Sequence, residues 1–96
     1  MAPPTFQGAG TPSTVGTPVA PVCAAGDLLV LTVGAISFSG EGPATPAGWT
    51  LVASNDGTGG SALKLRRWVK QATADDSEAT VTVGGTGVAV ICNYRN

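Results

Sequence analysis

The sequence predicts an all-β domain, a small β-sandwich or barrel-like fold of six or seven antiparallel strands with an extended N-terminal arm. Three observations carry this reading. Val, Ile, Leu and Thr gather in short runs separated by clusters of Gly, Pro, Asn, Asp and Ser. No stretch of useful length repeats its apolar residues at the helical period. The 96 residues include 14 glycines and 7 prolines, and only 11% are charged. A helical bundle would instead be rich in Ala, Glu, Lys, Leu and Arg.

The elements follow in order. Residues 1–22 are read as a Pro/Gly/Thr-rich arm and residues 23–96 as the sandwich domain. Pro3, Pro4, Pro12, Pro18 and Pro21 forbid a helix in the arm and disfavour a central strand, leaving one or two short edge strands near Thr5-Phe6 and Val19 to Cys23. Ala24 to Asp27 is a turn. Leu28 to Ile36 is continuous, β-branched and apolar, the mark of a strand buried on both faces. Residues 39–48 form a loop, and Trp49 to Ala53 a short strand whose Trp49 plugs the core. Asn55 to Gly60 is dense turn chemistry. Residues 62–71 alternate, with Leu63, Leu65, Arg67 and Val69 on one face and Lys64, Arg66, Trp68 and Lys70 on the other. Residues 73–78 are a polar turn, 79–83 a strand, 84–87 a turn, and 88–94 the last strand.

Charge and composition exclude several classes of function. At 43% apolar the chain is no disordered tail. It has no His, which removes the commonest general base and metal ligand and rules out Ser-His and Cys-His nucleophiles. Two cysteines without imidazole make no zinc site. Gly57-Thr58-Gly59-Gly60-Ser61 lacks the Lys and the following helix of a phosphate loop and reads as a hairpin tip. Asp75-Asp76-Ser77-Glu78 reads as a solvated turn rather than a calcium loop. Glu41, Asp56 and Asp76 all fall in loops, so no carboxylate pair faces across strands. The chain is expected to be no enzyme and to need no cofactor. Residues 1–63 carry net charge −3 and residues 64–96 carry +2; the total of −1 gives no pull towards nucleic acid. Neither a signal peptide nor an apolar run long enough for a membrane helix is read, so synthesis in the cytoplasm and no membrane partner are expected. Cys23 and Cys92 are expected as small core residues, and whether they bond stays open.

One constellation stands out. Lys64, Arg66, Arg67 and Lys70 cluster around Trp68, and alternation puts Lys64, Arg66, Trp68 and Lys70 on one strand face. Such a face can be a solvated surface whose long stems cover the ring, an anchor for an acidic protein patch, or a grip on a phosphate backbone. With Phe6 in the arm and Arg95 at the other end of the chain, these residues are the interface candidates.

Several segments in order also carry a resemblance. They are Ala25-Gly26-Asp27-Leu28-Leu29-Val30, Thr45-Pro46-Ala47-Gly48-Trp49-Thr50-Leu51-Val52-Ala53, Trp68-Val69-Lys70-Gln71-Ala72 followed by Asp76-Ser77, Thr80-Val81-Thr82-Val83, and Ile91-Cys92-Asn93-Tyr94-Arg95. Together they resemble a small β-sandwich module of tailed-bacteriophage virion proteins, with Pro46 to Val52 the most specific piece. The resemblance implies a structural role and carries over no catalytic residue. It implies a capsid cement or decoration protein on the outside of the head. The expected partners are the major capsid protein and copies of itself, as a homotrimer at three-fold positions. The arm could fill a sheet edge of a neighbouring subunit. The alternative is a tail or fibre tip module binding host-surface glycan.

Overall fold

A computed structural model describes residues 4–36, 45–56, 63–83 and 88–95. Of the turn expected over 55–60, Asn55 and Asp56 instead continue the strand that begins at Thr50, and 57–60 lie outside the described residues, as do the turn at 84–87 and most of the loop over 39–48 with Glu41.

Five strands make one antiparallel sheet. They are β1 (Thr5–Ala9), β2 (Leu28–Ile36), β3 (Thr50–Asp56), β4 (Leu63–Gln71) and β5 (Val88–Arg95), in the order β1-β5-β2-β4-β3. The apolar run at 28–36 takes the central place. It pairs with β4 from Leu28↔Gln71 to Ile36↔Leu63 and with β5 from Leu28↔Tyr94 to Gly34↔Val88. A centre strand has no edge to hide, so a continuous β-branched run is tolerated there. Among the described residues there is no α-helix, only a 3-10 turn at Ala74–Asp76. The polar turn read at 73–78 is this element. Asp76 closes it by accepting from the Thr73 N–H (2.7 Å) and the Thr73 hydroxyl (3.1 Å).

The arm belongs to the body of the fold. Phe6 pairs with Tyr94, Ala9 with Cys92, the Gly10 N–H bonds the Ile91 carbonyl, and Ser13 exchanges both backbone bonds with Ala89. The chain then reverses at Gly16 (φ 82°). Ser13 Oγ receives the N–H groups of Val15 and Thr17 at the bend. Residues 16–21 next run antiparallel to 78–83. The N–H groups of Val83, Val81 and Glu78 donate to the carbonyls of Gly16, Pro18 and Pro21, and the Ala20 N–H donates to Ala79.

The strands expected at 19–23 and 79–83 are therefore present as a hydrogen-bonded ribbon, not as regular strands. Within it only Val19↔Thr80 forms a bridge. The reason is chemical. Pro18 and Pro21 have no N–H to return the bonds from Val81 and Glu78, so the ladder is incomplete, with Ala20 donating between them.

This ribbon, with Ala24 to Asp27 and the turn at Pro46 to Trp49, covers one face of the sheet. That turn has Gly48 at φ 86° and a Trp49 N–H to Pro46 carbonyl bond (3.2 Å), the signature of a type II turn. The core lies between the layers. Leu29, Leu31, Trp68 and Ile91 are fully buried from the sheet side, and Ala20, Cys23, Trp49, Ala72 and Val83 meet them from the covering side. Trp49 is the plug its place after the tight turn predicts, 8% exposed. Each large buried side chain contributes about 1.5–3 kcal/mol.

Candidate interaction surface

The alternation of burial along the strands defines two unlike sheet faces. Leu29, Leu31 and Val33 of β2 and Ala89, Ile91 and Asn93 of β5 point into the core. Their neighbours point the other way, and among the described residues nothing is packed over them. Leu28 is 39% exposed, and Val30, Thr32, Val90, Cys92 and Tyr94 are half-buried. The expectation that β2 is buried on both faces is thus met on one face alone. The physical point is that the run is apolar on both sides, while the covering layer seals one.

On this open face a shallow groove of about 530 Å³ is lined by Pro4, Leu28, Val30, Thr32, Arg67, Val69, Cys92 and Tyr94. Phe6, 56% exposed, lies beside it with its ring edge-on to Tyr94, centroids 5.6 Å apart at 63°. Arg67 is the one cation whose described side chain belongs to the face; its Nε lies 3.4 Å from Thr32 Oγ1.

The interface candidates read from the sequence are distributed differently. Trp68 is fully buried, and its Nε1 donates to Thr45 Oγ1 at 3.0 Å, so its ring is no exposed platform. β4 has the reverse orientation to the one a solvated basic face would need. The largest apolar side chain dictates which face goes inward, and the polar ends of its neighbours follow to the rim. Lys70, on the same face, reaches Asp76 Oδ1 at 2.8 Å. Burial pushes the Asp76 carboxyl up, but bonds from Lys70 and Thr73 outweigh it and hold the carboxyl below its usual range. Arg66 is half-buried. The backbone of Lys64 pairs with Ala35 and Asp56, and its side chain lies outside the described residues. Phe6 lies on the open face, as above.

Arg95 is engaged within the chain. Its Nε and a terminal nitrogen grip the Asp27 carboxylate at 2.8 and 2.9 Å. Asn93 Nδ2 (3.1 Å) and the Ala24 N–H (2.9 Å) also donate to Asp27 Oδ2. The Arg95 bonds first, then the Ala24 and Asn93 bonds, hold the Asp27 carboxyl far below the usual carboxylate range. This clamp ties the last strand to the turn that starts β2.

Cys23 and Cys92 are free thiols on opposite sides of the sheet. Cys23 is buried as expected, whereas Cys92 is half-buried on the open face. Burial, with the nearby Asp76 and Asp27 charges, pushes the Cys23 thiol up, which keeps it protonated and unreactive. Among the described residues no group of His, Cys, Asp and Glu could hold a metal ion, and no helix is long and apolar enough to cross a membrane.

Leu28, Val30, Val69 and Tyr94 were not among the residues the sequence singled out, whereas Arg67 was read as part of the basic cluster around Trp68. One signal for them was present. Leu28 to Ile36 and Val88 to Tyr94 are apolar at both parities, so each carries a second apolar face.

The chain matches no family model, no curated protein and no solved structure.

Proposed function

We propose that this chain is a non-enzymatic structural protein that works by docking its open sheet face on a larger assembly, as a capsid decoration protein on the outside of a phage head. The observation that supports it best is the central strand, which is apolar on both faces and covered on one. A contiguous apolar sheet face left open marks a contact surface. The molecule measures 42 × 27 × 20 Å, a slab that can lay such a face on a shell. The segments quoted above from Ala25 to Arg95 supply the viral part of the reading. In it, the sheet and the 16–21/78–83 ribbon are the two halves of a small β-sandwich. Trimers at three-fold positions multiply weak contacts by avidity, and binding the assembled shell but not its loose subunits stabilises the shell.

The test is a comparison of purified particles with and without the protein. Hundreds of copies per particle by quantitative mass spectrometry, and a higher temperature of genome release when the protein is present, are the expected results. A handful of copies confined to the tail, with unchanged heat stability, would overturn the head reading in favour of a glycan-binding tip.

A further inference from the structure

Arg67 stands at the middle of the open face. It is the central residue of β4 and pairs with Thr32, the central residue of β2. It lines both grooves there, the one over Val30, Val69 and Cys92 and a second beside Ala53 and Leu65. Its side chain is exposed, and its Nε makes a long hydrogen bond of 3.4 Å to Thr32 Oγ1. Among the residues with described side chains, no Asp or Glu shares this face. Asp27 is buried in the grip of Arg95, and Asp75, Asp76 and Glu78 belong to the turn that leads into the covering layer.

Covering the face takes Arg67 out of water. A guanidinium so buried needs a carboxylate, or the desolvation cost exceeds what the apolar contacts return. A second copy does not supply one. In a two-fold, face-to-face pair, residues near the centre of the patch meet their own counterparts, so two guanidinium groups would be buried together. We infer that the occupant is a different polypeptide, whose contact surface is apolar around one Asp or Glu that receives the Arg67 fork. A bidentate pair of this kind fixes register as well as holding. The inference rests on the reading of the open face as a docking surface and adds the chemistry of its partner.

Sedimentation equilibrium of wild type, Arg67→Leu and Arg67→Glu tests it, with the Arg67→Glu chain as the probe: an apolar face bearing one carboxylate. Circular dichroism melts confirm that each variant is folded. Two results are expected. Arg67→Leu associates more strongly than wild type, and an equal mixture of wild type with Arg67→Glu associates at least about tenfold more tightly than either alone, a gain lost at high salt. A fall in wild-type mass on Val30→Lys would show a second copy on the face; the partner inference is then overturned while the docking reading stands. Association of Arg67→Leu without any gain in the mixture would do the same. If no change at Arg67 or Val30 alters association, the face is not adhesive, and both readings fall.

Discussion

At the scale of single residues, the fold depends on a few buried side chains with polar ends. Trp68 fills the space between β2, β3 and the covering layer, and its indole N–H is satisfied by Thr45. Trp68→Ala leaves a cavity in the core and is expected to cost about 3–5 kcal/mol. Against a total stability of about 5–15 kcal/mol that is enough to unfold much of the population, as a urea titration would show. Asp27 gives a pH signature. Its carboxyl is held well below its unfolded range, so its stabilising effect is full above about pH 4 and is lost as pH falls further. Asp27→Asn is expected to lower the melting temperature at pH 7 and to flatten its dependence on acid. An unchanged acid limb in the variant would show that other carboxylates govern it. The two thiols differ as well. Cys92 is expected to react first with a maleimide and Cys23 only on unfolding, followed by mass spectrometry.

At the scale of elements, backbone donors explain why some extended segments become strands and others do not. Leu28 to Ile36 and Leu63 to Gln71 have an N–H at every position and form a full ladder. The 16–21 segment has Pro18 and Pro21 where donors are needed, and it forms half of one. The crossing near Gly10 is equally specific. A Cβ there would overlap the Val19 carbonyl oxygen and press on the backbone of Ala20 and Pro21. Backbone cannot move aside as a side chain can. Gly10→Ala is therefore expected to cost at least about 1–3 kcal/mol and to speed hydrogen exchange of residues 5–13 more than that of β2. Equal protection of the arm in both proteins would refute the crossing.

At the scale of the whole molecule, the proposed docking on the open face predicts that stability and binding depend on different sides of the sheet. Val30 lies on the open face, beside the groove. Val30→Lys is expected to cost about 1 kcal/mol of folding stability, since the side chain is only half-buried, well below the cost of a core truncation. It is expected to abolish binding to particles. Retained binding would move the contact surface elsewhere, to the β3 edge or to the covering layer.

Much of this was legible in the sequence by itself. All-β class, the bounds of Leu28 to Ile36, the strands near 50, 63 and 88, the core role of Trp49 and the turn before Leu28 all follow from local pattern: β-branched runs, glycine at turns, proline where strands weaken. Those properties depend on each residue and its near neighbours. The tertiary structure decided what depends on distant partners. It seated the arm on β5 of its own chain, and it turned Trp68 inward with Lys70 bound to Asp76. The alternation at 62–71 shows that two faces differ, but only the covering layer, built from residues far away in sequence, determines which one is inside. The same is true of the open face. Leu28 and Val30 have the apolar composition of a buried strand, and only the folded arrangement shows that, among the described residues, the covering layer lies on the other side of the sheet.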